Sequence, residues 1–199
     1  MTIDRKKFYD TFKTQFHPTL TQQQVDGYNG ILDYWEAASL TDYRWLAYVL
    51  ATAYHETGRL MAPVREGFCK TDLGSIQAVT KLHTKGIIKY NYAKPEANGN
   101  SYFGRGLVQL TWADNYKKVG QALGMGSQLY DNPSLALDLD ISAKILFKGM
   151  IEGLFTGQSL SDYFNANTTD WIKARKIVNG MDKADAIAAY AKRFKICLD

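Results

Sequence analysis

Apolar residues recur at helical spacing along most of the chain, and this pattern predicts a mainly helical protein. After Thr21, which forms a capping-box signature with Gln24, apolar side chains follow at helical intervals as far as Trp35. A second apolar run begins after Asp42 and ends at Gly58, a residue type that often follows the last turn of a helix. We therefore expect a buried central helix that ends just before Gly58.

Weaker apolar periodicities predict further helices. Helices are expected at residues 4–14, 75–84, 114–123, 141–155, 170–178 and 182–197, with one more opening at Asn132-Pro133. Residues 90–101 are polar and contain proline and glycine, which is typical of a surface loop. Residues 107–111 alternate apolar and polar side chains, which indicates a short extended segment after a tight turn. The expected fold is mainly α with at most a small β element. No repeat or long linker divides residues 1–199, so we expect a single domain.

Composition and charge exclude some classes of function. With 46% hydrophobic and 22% charged residues, the chain can bury a substantial core. The formal net charge of +4 suits an anionic partner, but no Lys/Arg run, RNP motif or zinc-finger spacing supports nucleic-acid binding. No apolar run is long enough to span a membrane, and the first residues lack the apolar segment of a secretory signal. We expect a soluble, monomeric protein made in the cytoplasm, with Cys69 and Cys197 as free thiols.

Two glutamates near the end of the central helix are the strongest candidates for chemistry. Glu56 follows strongly apolar helical turns, so its side chain should be partly desolvated, and Glu66 lies beyond the helix-ending glycine. Arg65 precedes Glu66 and could hold it ionised. Two carboxylates in unlike environments are what a general acid and a general base require. The alternative is that each is an ordinary solvated glutamate.

Other types of catalytic site find little support. His55-Glu56 begins a zincin motif, but Arg59 occupies the position of the second histidine, and we expect no metal. Cys69 lies near His55 and His83 in the sequence, so a cysteine–histidine amidase remains conceivable. No nucleotide-binding loop or serine-nucleophile elbow is present.

Neutral polar side chains form a second candidate group. If residues 107–111 are extended, Gln109 and Thr111 share one side, and Asn115 follows closely. Amide and hydroxyl groups suit sugar hydroxyls, an N-acetyl group or a positioned water. The alternative is that Thr111 caps the next helix with Asp114 completing a capping box. Asn179, which precedes a glycine, could likewise be only a helix end.

Three blocks of the sequence together resemble glycoside hydrolase family 19, which contains plant-type chitinases and bacteriophage endolysins. They are His55-Glu56-Thr57-Gly58, Tyr102 to Thr111 with Asn115-Tyr116, and Ile177-Val178-Asn179-Gly180. The middle block, Phe-Gly-Arg-Gly-x-x-Gln-Leu-Thr, is the most specific. The resemblance implies a lysozyme-like helical fold with two lobes around a cleft.

The resemblance also implies roles for individual residues. Glu56 falls on the general acid, Glu66 on the general base, with Glu96 as an alternative base, and Thr111 on the hydroxyl that helps hold the attacking water. Substrate contacts fall on His55, Tyr102, Gln109, Asn115 and Asn179. Inversion at the anomeric carbon is implied, which needs carboxyls roughly 6.5–9.5 Å apart, and no metal or organic cofactor is required.

Departures of the sequence from the plant chitinases favour an endolysin. The chain lacks their cysteine pattern and shows neither a secretion signal nor a chitin-binding module. We therefore expect a phage or prophage muramidase that cleaves β-1,4 bonds of peptidoglycan in the periplasm after holin-type release. A chitinase and an inactive wall-binding, lysozyme-like protein are the alternatives. Lys192, Arg193 and Lys195 suggest electrostatic contact with an anionic wall or outer membrane, although ordinary packing of the last helix explains them too.

Overall fold

The computed structural model describes residues 2–199, which divide into two compact units, residues 2–62 with 149–199 and residues 63–148. In chain order, the first elements are α1 (Arg5–Gln15), α2 (Gln22–Ala37), α3 (Tyr43–Glu56), β1 (Val64–Arg65), a 3₁₀ turn (Glu66–Phe68), α4 (Asp72–Thr84), β2 (Arg105–Gly106) and α5 (Ala113–Ala122). The remainder are α6 (Gln128–Asp131), a 3₁₀ turn (Pro133–Leu137), α7 (Leu139–Ile151), α8 (Leu160–Tyr163), a 3₁₀ turn (Lys173–Ile177) and α9 (Ala184–Leu198). The mainly helical fold with a small β element is confirmed. In residues 2–199, no helix is long and apolar enough to cross a membrane.

Helix α3 is the centre of the first unit, as its sequence predicts. Asp42 caps its start by accepting a hydrogen bond from the backbone of Arg44, and every residue from Leu46 to Tyr54 is buried. After Glu56 the chain leaves the helix through Gly58, whose φ of 56° is left-handed. The helix therefore holds Glu56 at the end of a rigid, fully packed element.

An aromatic cluster joins the helices of the first unit. Phe16 from the end of α1 lies 4.5 Å from Phe194 of α9, and Tyr54 of α3 lies 5.7 Å from the same ring (centroid distances). Arg193 stacks over the ring of Phe16, and Lys195 pairs with Asp199. The contact with Phe16 supports packing as the role of Arg193, and Lys195 forms a surface ion pair at the end of α9.

The segment after Glu56 is held against α2 and α3. A Cβ atom at Gly27 of α2 would fall 1.6 Å from the carbonyl oxygen of Met61, so only glycine permits this approach. Thr57 accepts a hydrogen bond from the backbone N–H of Met61 and donates one to Ala53. The chain beyond the helix is thus fixed close to Glu56.

The second unit contains the antiparallel pair of β1 and β2, in which Arg65 lies opposite Arg105. The predicted extended segment at 107–111 is wrong, because Gly106 and Gln109 adopt positive φ angles of 90° and 55°. These angles reverse the chain, so that Arg105 and Leu110 exchange backbone hydrogen bonds of 3.2 and 2.9 Å. Gln109 therefore lies within a tight turn, and alternation cannot place it beside Thr111.

The helix predicted at 170–178 is shorter and of a different type. Arg175 and Val178 bond three residues back, to Ile172 and Arg175, as in a 3₁₀ turn. This turn buries the Arg175 side chain, which is 4% exposed. The predicted single catalytic domain and its cleft stay predictions.

Candidate functional site

Glu56 is paired with a buried arginine within the first unit. Its Oε1 accepts a 2.8 Å hydrogen bond from Nη1 of Arg175, and the Glu56 side chain is 16% exposed. Nε of Arg175 donates to the carbonyl of Asp182 at 3.1 Å. A guanidinium that is buried and held at two edges gives the Glu56 carboxyl a defined orientation. The predicted partial desolvation of Glu56 is confirmed.

Sequence reasoning missed Arg175. It lies in the segment Lys173-Ala174-Arg175-Lys176, which reads as an ordinary basic stretch, and its partner is 119 residues earlier. Its neighbours Ala174 and Ile177 are buried while Lys173 and Lys176 are exposed. The available signal was that a basic residue, Arg175, occupies a position where the helical spacing of buried residues predicts an apolar side chain.

His55 and Asn179 also belong to the first unit. His55 is partly buried, and burial lowers its pKa below the ordinary value, with the charge of Glu56 acting in the opposite direction. Asn179 is exposed, and its Oδ1 accepts a 2.8 Å hydrogen bond from the backbone of Gly180. Its own backbone N–H donates to the carbonyl of Arg175, so Asn179 directly follows the turn that holds Glu56. Their predicted substrate contacts stay predictions.

Glu66 is held by two donors of the second unit. Its Oε2 accepts a 2.7 Å hydrogen bond from the backbone N–H of Gly104, and its Oε1 accepts one of 2.5 Å from the hydroxyl of Tyr92. Burial first, and the bond to Glu66 second, raise the pKa of Tyr92, which keeps this phenol a donor at neutral pH. A Cβ atom at Gly104 would lie 3.3 Å from Oε2 of Glu66 and 2.7 Å from Oε1 of Gln109. Glycine at this position therefore allows the close approach of the carboxylate.

The expected pairing of Arg65 with Glu66 is wrong. Nε of Arg65 binds Asp72 at 2.6 Å, and Nη2 of the buried Arg105 binds the second oxygen of Asp72 at 3.0 Å. Burial by itself would raise the pKa of Asp72, but the hydrogen bonds from the two arginines outweigh it and lower that pKa. Glu66, the next residue, points instead toward Gly104 and Tyr92.

Gln109 and Asn115 are both engaged with backbone carbonyls. Nε2 of Gln109 donates to Val64 and Gly106, at 3.0 and 3.2 Å, and so fastens the turn to β1. Nδ2 of Asn115 donates to the carbonyl of Thr111 at 2.9 Å. Both amides retain their acceptor oxygens, and both side chains are partly exposed.

Thr111 does not cap the following helix, so that alternative is wrong. The N-cap of α5 is Trp112, which provides no side-chain capping bond. The Thr111 hydroxyl makes no hydrogen bond to any residue among 2–199, and the side chain is partly exposed. The hydroxyl is therefore available to a ligand or water.

Tyr102 is not placed to contact a substrate. It is 1% exposed, and its ring stacks on Tyr130 with 5.1 Å between centroids. Its hydroxyl accepts a hydrogen bond from Asn98 and donates one to the carbonyl of Tyr130. This correction follows from burial: the aromatic residue of the family-like block serves the core of the second unit.

The alternative candidates have fewer partners. Glu96 is exposed in a turn, and its carboxylate makes no hydrogen bond within residues 2–199, which favours Glu66 as the base.

Cys69 and Cys197 are free thiols. The Cys69 thiol contacts the carbonyl of Gly67, and no histidine of the second unit bonds to it. The described residues contain no group of three or more His, Cys, Asp or Glu arranged to hold a metal ion.

Comparison with known proteins settles the family. The model of glycoside hydrolase family 19, described as chitinase class I, matches residues 37–173, which is more than half of the chain. The chain belongs to this family. The matched segment contains both candidate carboxylates and the polar residues Gln109, Thr111 and Asn115. Arg175 and Asn179 lie beyond it.

Individual family 19 relatives match the chain over different lengths. Chitinase 3 of Oryza sativa subsp. japonica is 32% identical over 158 residues, which cover 69% of this chain and 46% of the rice protein. The inactive chitinase-like protein 1 of Hevea brasiliensis is 51% identical over 53 residues, covering 26% of this chain and 16% of that protein. The matches thus span less than half the length of each of these curated relatives.

A solved structure shares the fold of this family 19 chain. Chitinase C from Streptomyces griseus HUT6037 has a TM-score of 0.60 and 21% sequence identity, and the match covers 98% of this chain and 76% of that one. At this level of identity the comparison establishes the fold alone. The predicted lysozyme-like helical fold is confirmed.

Proposed function

We propose that this chain hydrolyses the β-1,4 bonds of a glycan that contains N-acetylglucosamine, with chitin as the first candidate. The observation that carries the proposal is the pair of glutamates, each held by hydrogen bonds: Glu56 by Arg175, and Glu66 by Gly104 and Tyr92. A carboxylic acid and a carboxylate are the two groups that glycoside hydrolysis requires. Membership of family 19 and the names of the relatives support a chitinase.

In the proposed reaction, Glu56 is the general acid. It donates its proton to the glycosidic oxygen as the bond between that oxygen and the anomeric carbon breaks. The group that remains is a carboxylate facing the guanidinium of Arg175, 2.8 Å away. Arg175 therefore stabilises the charge that forms on Glu56 during proton transfer.

Glu66 is the proposed general base. It takes a proton from a water molecule while the oxygen of that water forms a bond to the anomeric carbon, on the face opposite the leaving group. Gly104 and Tyr92 each occupy one lone pair of the carboxylate, and each oxygen keeps another acceptor position for the water. The Thr111 hydroxyl is the proposed second partner of that water.

Peptidoglycan is the second candidate substrate, favoured by the net charge of +4. Its glycan strands carry the same β-1,4 linkage and the same N-acetyl groups. The relatives' names favour chitin, so we propose the reverse of the order that the sequence alone suggested. Release through a holin belongs to this second candidate only. Because Glu56, Glu66 and Thr111 are all present, we place the inactive wall-binding alternative last.

Product analysis on both glycans tests the proposal. We expect a chitin hexasaccharide to be cut into shorter oligosaccharides with N-acetylglucosamine reducing ends, and with a higher kcat/KM than purified peptidoglycan. Mass spectrometry of both digests identifies the broken bond. New N-acetylmuramic acid reducing ends without any cleavage of the hexasaccharide would establish the muramidase instead. Cleaved stem peptides, or intact glycans in both digests, would contradict a glycosidase.

A further inference from the structure

Three aromatic side chains of the second unit lie beside one another and lead to Glu66. Trp112 lies 5.2 Å from Tyr92 and 6.4 Å from Tyr90 between ring centroids. Trp112 is 44% exposed and Tyr90 57% exposed, whereas Tyr92 is partly buried and binds Glu66 through its hydroxyl. The exposed rings are therefore separated from the proposed base by a single tyrosine.

Neither capping nor backbone preference explains a tryptophan at position 112. An N-cap favours Ser, Thr, Asp or Asn, yet Trp112 occupies that position of α5 without a capping bond. Its φ of 70° is a strained conformation for a bulky residue. Strained backbone conformations cluster at functional sites. Capping and backbone preference both favour a different residue at position 112.

A cavity of about 310 Å³ lies against the rings of Trp112 and Tyr92. Much of the rest of its wall comes from the loop that contains Tyr92, including Asn91, Pro95 and Glu96. The volume is at the lower end for ligand sites, and a mixed aromatic and polar wall is typical of such sites. The cavity and the aromatic rings together suit a small polar ring with apolar faces.

We propose that Trp112, flanked by Tyr90, is a stacking platform for one N-acetylglucosamine ring of the glycan, next to the bond that Glu66 acts on. This inference rests on the proposed function and names a subsite for it. A β-linked pyranose carries its hydroxyls at the rim and presents C–H groups on its faces. Those C–H groups match the electron-rich face of an indole. Lys89 lies over the ring of Tyr90, 5.1 Å from its centroid, which leaves Trp112 as the principal platform.

Binding in a catalytically silent background tests the platform directly. In protein carrying Glu56→Gln, titration calorimetry with the chitin hexasaccharide should show about tenfold weaker binding after Trp112→Ala, the loss expected for one ring stack. Trp112→Phe, which keeps an aromatic face, should recover most of this affinity. Ile87→Ala is the matched control, because Ile87 is 65% exposed in the same unit and does not line the cavity. It should bind like the parent.

Tyr90→Ala provides a second variant that leaves the strained residue 112 in place, and circular dichroism establishes that each variant is folded. With Glu56 intact, Trp112→Ala should raise KM for the hexasaccharide and leave kcat nearly unchanged, since stacking contributes to ground-state and transition-state binding alike. If folded Trp112→Ala and Tyr90→Ala proteins bind the hexasaccharide as tightly as the parent while the wild type hydrolyses it, the platform is refuted and the proposed function stands. If the wild type neither binds nor hydrolyses either glycan, the proposed function fails and the subsite with it.

Discussion

Glu56→Gln is expected to reduce glycan hydrolysis by about 10⁴-fold, the upper range for loss of a general acid. Glutamine has no proton to give to the leaving oxygen. Its carbonyl oxygen still accepts the hydrogen bond from Arg175, so the buried guanidinium keeps a partner and the fold is retained. The measurement is the initial rate on the chitin hexasaccharide, together with the thermal unfolding midpoint.

Asp10→Asn is a suitable control for Glu56→Gln. Asp10 lies on the exposed side of α1 in the same unit, paired with Lys6, so the variant removes one acidic charge without touching the site. Its rate should match that of the wild type. A Glu56→Gln protein with nearly full activity would remove Glu56 from the reaction. An unfolded Glu56→Gln protein would show that the ion pair between Glu56 and Arg175 is required for folding.

Glu66→Gln is expected to lower the rate by about 10²–10³-fold, because the attacking water loses its proton acceptor. The amide can keep both local contacts: its oxygen accepts from Gly104, and its NH₂ donates to the Tyr92 hydroxyl after that hydroxyl rotates. The protein should therefore fold and bind oligosaccharide normally, with the loss confined to kcat. Rates and binding affinities of the same preparation separate these effects.

Glu96→Gln distinguishes the two possible bases. Glu96 is exposed and its carboxylate is not held by other residues of the described chain, so its isosteric amide should leave the rate close to that of the wild type. A loss of rate in Glu96→Gln together with full activity in Glu66→Gln would transfer the role of base to the loop at 90–101.

The ends of α2 and α3 and the burial of α3 could be predicted from the sequence. The capping box at Thr21 and Gln24, the helix start after Asp42 and the helix end before Gly58 all occur as expected. The apolar run of α3 predicted its burial, and with it the position of Glu56 at the end of a packed helix. These features could be read because each depends on residues at most four positions apart.

Tertiary partners could not be predicted in the same way. A single sequence does not show that Arg175 reaches Glu56, or that Arg65 binds Asp72 rather than its neighbour Glu66. The burial of Tyr102 depends equally on a distant residue, Tyr130. The family-like blocks contain Glu56 and Tyr102, but they do not show the partner of either side chain.

The turn at residues 106–112 shows a second kind of limit. Gln109 and Trp112 adopt positive φ angles although neither is glycine, so no propensity rule predicts them. The backbone N–H of Trp112 donates to the carbonyl of Tyr102, and the Gln109 side chain donates to Val64 of β1, so bonds to distant residues hold these conformations. Apolar–polar alternation was therefore read as a strand where the chain reverses direction.

The stereochemistry of the first product is the most direct test of the central claim. Real-time proton NMR of the chitin hexasaccharide with the wild-type protein follows the anomeric signals before mutarotation mixes them. If Glu66 activates water for direct attack while Glu56 protonates the leaving oxygen, the new reducing ends appear first as the α anomer. Initial accumulation of the β anomer would mean retention of configuration and would contradict the account.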